Sequence, residues 1–244
     1  MKKYKRFYFP KIQHIRRLFF AVVVFFGAVV FSENTTAQNT IAYDTTYTFA
    51  HYKIRRAFYE GLPNRKHEIV FLGNSITENG DWNEIFRNKN IVNRGIGGDV
   101  CWGVLNRLDE VLSSQPKYIF LMIGINDIGR SVPVDIIAGK IQEIIWRIKA
   151  ESPLTKVYLQ SVLPINEEII WYDYMKNKSD KIIELNEQLV SIAAKSKIRF
   201  IDLYSHFVDE KGNLKQELTA DGIHLSACGY LLWRDIFKGK GIRF

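Results

Sequence analysis

Glu68-Ile-Val-Phe-Leu72, followed by Gly73-Asn-Ser75, is the stretch that decides the fold of this chain. A short apolar run that ends at a glycine is typical of a strand buried on both faces, as in a parallel sheet. The polar residues after the glycine open a predicted helix, so the chain passes here from strand to helix. Similar apolar runs follow at 91–93, 118–123, 157–163 and 198–203.

Amphipathic stretches separate these predicted strands. Their apolar residues recur every three or four positions, which is the period of one helix face. The predicted helices cover residues 99–114, 134–150, 181–194 and 226–237. Strands that alternate with helices predict an α/β protein with a parallel sheet between two helix layers, a three-layer αβα sandwich. In such sheets the functional side chains lie on loops past the carboxyl ends of the strands.

The first 37 residues differ in composition from the rest of the chain. Seven Lys or Arg residues, all within the first 17 positions, precede the uncharged apolar run 18–31. This run is short for a membrane span, which takes about 20 apolar residues. A basic segment, an apolar centre and small polar residues ending at Ala37 are typical of a secretory signal peptide, with an uncleaved membrane anchor as the alternative. We therefore predict a signal peptide at 1–37 and an exported domain at 38–244.

Charge, length and cysteine content exclude several classes of protein. The formal charge of the 244 residues is +8, but it falls to +2 without residues 1–37. The domain therefore lacks the basic surface of a nucleic-acid-binding protein, and membrane contact is expected only through the N-terminal segment if it is retained. Cys101 and Cys228 fit no zinc motif, and we interpret both as small buried side chains rather than as a disulfide.

Ser75 is the first candidate for chemistry. It lies between the first predicted strand and a helix, where its hydroxyl is accessible and its backbone N–H points away from the helix. This position suits a nucleophile. It suits a helix cap equally well, since serine is common there, so this motif alone leaves both interpretations open.

Two further loops offer hydrogen-bond donors at the same edge of the sheet. The glycines of Asn93-Arg-Gly-Ile-Gly-Gly98-Asp99, after the second strand, allow backbone N–H groups to converge on an anion. A dinucleotide-binding motif would need glycine where Val100 stands, so the alternatives are an anion-binding turn and a turn without a ligand. Asn126, after the third strand, provides either an amide donor or an Asx turn.

An acid and a histidine precede the last predicted helix, in the order Asp221-Gly-Ile-His224. A carboxylate at this spacing can accept from imidazole Nδ1–H and leave Nε2 free to deprotonate a serine. His206 has Leu203 at the corresponding position, and we interpret it as a surface or core residue. A metal site of His206, Asp221 and His224 would fit no recurrent ligand pattern, so we predict no metal and no cofactor.

These loops together provide the parts that acyl transfer needs: a hydroxyl nucleophile, a base with its carboxylate, and donors for the tetrahedral oxygen. Over residues 68–238 they resemble the sequence blocks of the SGNH hydrolase superfamily. The resemblance implies a flavodoxin-like sheet of order 2-1-3-4-5. The roles that it implies are Ser75 as nucleophile, His224 as base, Asp221 as the residue that orients His224, and the Ser75 N–H, the Gly98 N–H and the Asn126 amide as oxyanion donors.

One position departs from the family pattern, because the usual Gly-Asp-Ser is Gly-Asn-Ser here. The segment 95–110 is most similar to the acetylhydrolase and sialate O-acetylesterase-like branches, which implies removal of short acyl groups, acetyl above all, from acylated carbohydrate. The alternatives are a lysophospholipase or thioesterase for longer acyl chains and a catalytically silent carbohydrate-binding module. The aromatic stretch Trp171–Tyr174 suits either a sugar-binding wall or, as we favour, a helix face packed on the core.

Overall fold

The sheet at the centre of the molecule has five parallel strands in the order β2-β1-β3-β4-β5. The structure is a computed structural model that describes residues 43–63 and 65–242. The strands are β1 (Ile69–Gly73), β2 (Ile91–Gly95), β3 (Tyr118–Met122), β4 (Lys156–Gln160) and β5 (Arg199–Ile201). The predicted α/β class and the strand order implied by the resemblance are confirmed.

Helices connect and flank these strands. They are α1 (Ala50–Glu60), α2 (Ser75–Glu78), α3 (Trp82–Phe86), α4 (Cys101–Asn106), α5 (Leu108–Ser113), α6 (Ile125–Gly129), α7 (Val134–Glu151), α8 (Ser179–Lys195), α9 (Tyr204–Phe207) and α10 (Ala227–Gly239). None of the helices in the described residues is long and apolar enough to cross a membrane. The predicted signal peptide at 1–37 lies outside the described residues.

α7 illustrates why the connecting segments fold as helices. It begins directly after Pro133, and Ile137, Ile141, Ile144 and Ile148 are all buried along it. Their spacing of three and four residues places them on one face of the helix. That face packs toward α8 and α4 and covers one side of the sheet.

Aromatic side chains cover the other side of the sheet. Phe71 of β1 stacks on Trp82 of α3 with ring centroids 4.2 Å apart, and Phe120 of β3 packs on Phe237 of α10 at 5.1 Å. All four are almost completely buried. Burying one such side chain stabilises the fold by about 1.5–3 kcal/mol, so this layer anchors the strands whose ends carry the site.

The predicted helix 99–114 is two helices in the structure, α4 and α5. The break falls at Arg107, whose φ of −107° and ψ of 10° are not helical. The Arg107 guanidinium is buried and donates to Asp99 Oδ2 at 2.9 Å and to Gly73 O at 3.0 Å. We attribute the break to these inward contacts, which no helical periodicity predicts.

β4 and β5 are shorter than the predicted strands 157–163 and 198–203. Both strands end where the Ser161 hydroxyl takes the place of a backbone carbonyl as hydrogen-bond acceptor. Its Oγ accepts from the N–H groups of Leu203 and Tyr204, each at 2.8 Å. A side chain therefore satisfies backbone groups that the apolar pattern assigned to the sheet.

The two cysteines lie in different surroundings. Cys101 is buried, Cys228 is exposed, and both are free thiols. The prediction of two buried side chains is therefore wrong for Cys228. It is the second residue of α10, and the core-facing side of that helix carries Gly229, Tyr230 and Trp233 instead.

Candidate active site

The carboxyl ends of three neighbouring strands bring the candidate loops to one edge of the sheet. Gly73 of β1 lies in register with Gly95 of β2 and with Met122 of β3. The loops that leave these three positions carry Ser75, Gly98 and Asn126. Their proximity follows from the parallel strand order, as predicted for this kind of sheet.

Ser75, His224 and Asp221 form one chain of hydrogen bonds. The distance from His224 Nε2 to Ser75 Oγ is 2.9 Å, and the distance from His224 Nδ1 to Asp221 Oδ2 is 2.6 Å. The second contact is short, as expected between a charged carboxylate and an imidazole N–H. With Nδ1–H donating to Asp221, Nε2 is the nitrogen that faces the serine hydroxyl.

Local contacts hold the Asp221 carboxylate in place. Oδ1 accepts from the backbone N–H of Ile223 at 3.0 Å and from that of His224 at 2.8 Å. Burial acts to raise the pKa of Asp221, but hydrogen bonds from the His224 side chain and from these two N–H groups outweigh it and leave the pKa below its usual value. Asp221 is therefore ionised at neutral pH, and its carboxylate accepts the hydrogen bond from His224 Nδ1–H.

Ser75 is the first residue of α2, but it does not cap this helix. The cap is Asn74, whose side chain accepts from the N–H of Ile76 at 3.0 Å. An asparagine oxygen can therefore serve in capping even though the family's usual residue is aspartate. The Ser75 hydroxyl is left to His224, which removes the capping interpretation of Ser75.

Gly98 lies in a tight turn after β2. Its φ is +76°, a conformation that glycine adopts without strain, and a Cβ atom here would lie 3.0 Å from the ring of Phe49. The carbonyl of Gly98 accepts from Arg130 Nη2 at 3.2 Å. The turn is therefore clamped between Arg130 and the aromatic ring.

Asn126, in the first turn of α6, is buried and reaches across to the same turn. Its Nδ2 donates to the carbonyl of Asp99 at 2.9 Å. The Asp99 carboxylate in turn pairs with the buried Arg107. Gly98 and Asn126 are thus joined through Asp99. They form one group and Ser75, His224 and Asp221 another, and the loops of Ser75, Gly98 and Asn126 leave the carboxyl ends of neighbouring strands.

The aromatic stretch after β4 is not a helix face packed on the core, so the interpretation that we favoured is wrong. Trp171 is 74% exposed and Tyr174 is 52% exposed, and only Asp173–Met175 forms a short 3₁₀ turn. The N–H of Trp171 donates to Asp221 O at 3.2 Å, and the ring of Tyr172 lies edge-on to His224 with centroids 5.9 Å apart. Backbone pairing with the Asp221 loop, rather than helical packing, holds this stretch at the rim of the site.

Glu78 is a residue of the site that the sequence analysis missed. It ends α2, and its Oε2 accepts from the N–H of Gly97 at 2.5 Å. A signal was available, because Glu78 lies three residues after Ser75 and so shares a face of the same short helix. His206, in contrast, is exposed on α9 and has no contact with Ser75 or Asp221 among the described hydrogen bonds.

No group of three or more His, Cys, Asp or Glu side chains that could hold a metal ion occurs in the described part of the chain. The site itself offers a serine hydroxyl, an imidazole, a carboxylate and backbone N–H groups. That donor set is the one used in acyl transfer to a hydroxyl.

The model of the GDSL-like lipase/acylhydrolase family matches residues 71–232 of this chain. The chain belongs to that family. It is a carboxylic ester hydrolase, since ester hydrolysis is the activity common to the family and to its structural neighbours. Ser75, Gly98, Asn126, Asp221 and His224 all lie within the matched region.

Several acylhydrolases resemble this family member over most of its length. The human platelet-activating factor acetylhydrolase IB subunit alpha1 is 25% identical over 204 residues, which covers 81% of this chain and 85% of that protein. The structure of a GDSL-like lipase from Bacteroides thetaiotaomicron has a TM-score of 0.67 and 28% identity, and covers 78% of this chain and 96% of its own. An acetyl xylan esterase at 22% identity, with a TM-score of 0.60, covers 71% of this chain and 98% of its own and shares the fold.

Proposed function

We propose that this family member is an exported serine esterase that removes acetyl groups from acylated carbohydrate through an acyl-enzyme on Ser75. The observation that carries the proposal is the chain of contacts from Ser75 Oγ to His224 Nε2 at 2.9 Å and from His224 Nδ1 to Asp221 Oδ2 at 2.6 Å. A hydroxyl, a base and an orienting carboxylate in this order are the parts of a nucleophilic triad.

In the acylation step, Ser75 Oγ attacks the ester carbonyl while His224 Nε2 takes the serine proton. The imidazolium that forms is stabilised by the Asp221 carboxylate. Collapse of the tetrahedral intermediate breaks the bond between the acyl carbon and the alcohol oxygen. His224 gives its proton to the leaving alcohol, and the acyl group remains on Ser75.

The developing oxyanion would be met by three donors, the N–H groups of Ser75 and Gly98 and the amide of Asn126. The Asn126 amide carries two hydrogens, and its bond to Asp99 O uses one of them to fix the direction of the other. Donors that are oriented before the reaction stabilise the transition state without further reorganisation.

In the deacylation step, water attacks the acyl-enzyme while His224 Nε2 takes one of its protons. Breakage of the bond to Ser75 Oγ returns that proton to the serine. The products are the free carboxylic acid and the alcohol released earlier, so one water is consumed per ester and the enzyme is regenerated.

Two observations support an acetylated sugar as the substrate. Relatives over four-fifths of the chain carry the name acetylhydrolase, which favours a short acyl group. The ring of Tyr172 lies 5.9 Å from that of His224, and the exposed rings of Trp171 and Tyr174 belong to the same stretch, at the rim that an alcohol portion of the substrate would cross. Exposed planar rings stack on the apolar faces of sugars, whereas a long acyl chain needs an enclosed apolar channel.

A panel of p-nitrophenyl esters from acetate to palmitate, run beside acetylated oligosaccharides, tests the substrate. We expect kcat/KM to be highest for acetate among the simple esters. Trp171→Ala should raise KM for the acetylated oligosaccharide about two- to tenfold, the order of one lost aromatic contact of about 0.5–1.5 kcal/mol. It should change p-nitrophenyl acetate turnover much less, because this ester has no sugar to stack.

Trp146→Ala is the matched control for that experiment. Trp146 is 69% exposed on α7 and lies near Ser196, beside the start of β5 at the opposite edge of the sheet. It should leave both substrates unaffected. If kcat/KM is highest for an acyl chain of eight carbons or more, the lipase or thioesterase alternative replaces the acetyl proposal. Equal effects of the two tryptophan variants would contradict sugar binding on Trp171.

Export is tested separately, by N-terminal sequencing of the protein from its native host. We expect a soluble chain that begins near Gln38, because the apolar run 18–31 is shorter than the roughly 20 residues of a membrane span. Membrane-bound protein that retains this run would contradict the proposal.

A further inference from the structure

Glu78 connects the nucleophile helix with the turn that carries Gly98. It is the last residue of α2, and Oε2 of its carboxylate accepts the N–H of Gly97 at 2.5 Å. Gly97 is the immediate neighbour of Gly98, so the carboxylate binds one residue away from the proposed oxyanion donor. A hydrogen bond to a charged acceptor is roughly twice as strong as one between neutral groups.

The Glu78 carboxylate is itself held by α1. Arg55 Nε lies 2.7 Å from Oε1, and His51 Nε2 lies 2.9 Å from Oε2. α1 precedes residues 71–232, the region that matches the family model. The side chain of Glu78 is largely buried and that of Arg55 is 28% exposed, so solvent screens this pair less than a surface pair, whereas His51 is half exposed.

The pair with Arg55 also answers an electrostatic problem. A carboxylate close to the oxyanion would oppose the negative charge that develops there, at a cost that grows as water is excluded. The Arg55 guanidinium balances this charge while Oε2 remains available to the Gly97 N–H. The cation therefore lets Glu78 orient the turn without destabilising the transition state.

We propose that Glu78 is a positioning residue, which aims the Gly98 N–H at the oxyanion by fixing Gly97 and which α1 holds in place through Arg55 and His51. The inference rests on the proposed function, in which the Gly98 N–H is a donor. Two adjacent glycines have the greatest backbone freedom of any dipeptide, so the turn needs an external acceptor to hold one conformation. A displacement of about 1 Å at such a donor can cost about 100-fold in rate.

The test compares Glu78→Ala, Glu78→Gln and Glu60→Ala on p-nitrophenyl acetate. Glu78→Ala should lower kcat by about 30- to 100-fold with KM within about threefold, because the loss is confined to the transition state. Glu78→Gln keeps an oxygen that can accept from Gly97 and should recover most of the activity. Glu60, which pairs with Arg56 on the outside of α1, is the matched control and should be neutral.

A second measurement separates positioning from folding. Each variant is compared by its melting temperature and by the rate at which a phosphonate ester labels Ser75, since the labelled adduct carries an oxygen in the place of the oxyanion. The labelling rate should fall in parallel with kcat. Glu78→Ala that melts earlier but keeps kcat and labelling within threefold of the wild type would overturn the inference, as would a loss of kcat in Glu78→Gln equal to that in Glu78→Ala.

If Glu78→Ala does not fold, the double variant His51→Ala/Arg55→Ala takes its place. It removes both side chains that contact the Glu78 carboxylate and should lower kcat about tenfold at unchanged KM. Full activity would overturn the inference. Ser75→Ala is run in parallel. An active Ser75→Ala would contradict the proposed function itself, whereas an inactive Ser75→Ala beside a fully active Glu78→Ala would remove only the role of Glu78.

Discussion

In the acid–base loop, residues 219–224, the catalytic carboxylate is fixed by N–H groups of the same loop, whereas the donor turn, residues 96–99, is held by side chains from distant parts of the chain. In the acid–base loop, Asp221 accepts from the N–H groups of Ile223 and His224 and from the imidazole of His224. The donor turn depends on Glu78, Asn126 and Arg130.

The two constructions have different physical costs. In the acid–base loop one carboxylate satisfies three N–H groups within four residues, so little chain has to be ordered to assemble it. The φ of +85° at Gly222 closes this loop, where a Cβ would lie 2.8 Å from Asn166 O. The donor turn instead uses buried charges, Asp99 with Arg107 and Asp127 above the start of α4, which must be desolvated when the protein folds.

The largest expected effect falls on Ser75, which both regions serve. Ser75→Ala should lower kcat by about 10⁴- to 10⁶-fold on p-nitrophenyl acetate, because it removes the hydroxyl that His224 Nε2 contacts. The measurement is turnover of purified protein with the melting temperature as a control for folding. Activity within tenfold of the wild type would remove Ser75 as nucleophile.

The next largest effect tests the acid–base loop alone. Asp221→Asn and His224→Ala should each lower kcat by about 10⁴-fold, since either change leaves Ser75 without a correctly oriented base. His206→Ala is the control, as the only other histidine that follows the sheet's last strand and precedes α10. Loss of turnover in His206→Ala with survival in His224→Ala would reassign the base.

A smaller effect is expected in the donor turn's partner Asn126. Asn126→Ala should lower kcat by about 10²- to 10³-fold with little change in KM, because the amide acts mainly on the oxyanion. Asn126→Asp should be worse, since a carboxylate repels that charge. If the amide only braces Asp99 O, Asn126→Ala will lower the melting temperature and keep its activity per folded molecule, which weakens the oxyanion assignment.

The smallest expected effect is on the free energy of unfolding, and it comes from the buried charge of Asp127 beside the donor turn. Asp127 is buried, accepts from the N–H of Cys101 at 3.1 Å, and burial raises its pKa to about 6. The folded protein therefore binds the Asp127 carboxyl proton more tightly than the unfolded chain does. The protonated carboxyl contributes its full share of stability below pH about 4, and this contribution is lost as the pH rises to about 6. The carboxylate is therefore destabilising at neutral pH.

Asp127→Asn should accordingly raise the free energy of unfolding at pH 7 by roughly 1–3 kcal/mol. The gain should shrink toward zero as the pH falls from 6 to 4, where the wild-type carboxyl becomes neutral. Urea unfolding of both proteins at several pH values measures it. A variant that is less stable than the wild type at pH 7 would mean that the charged bond to Cys101 outweighs the burial of the carboxylate.

Most of the fold could be predicted from the sequence because its signals are periodic. Buried parallel strands appear as short apolar runs, and the helices between them as one apolar face. The errors fall where a side chain overrides the period: Arg107 breaks the helix 99–114, Ser161 ends β4, and the aromatic stretch 171–174 follows the Asp221 loop rather than the core.

The sequence by itself determined the strand–helix alternation and the placement of Ser75 at the end of β1. It also determined the pairing of Asp221 with His224, since a spacing of three residues brings their side chains together within one loop. Only the tertiary structure decided what orients the donor turn. Glu78 and Arg130 reach it from different parts of the chain, and Arg55 pairs with Glu78 from a third. Contacts across the fold leave no period or spacing in the sequence.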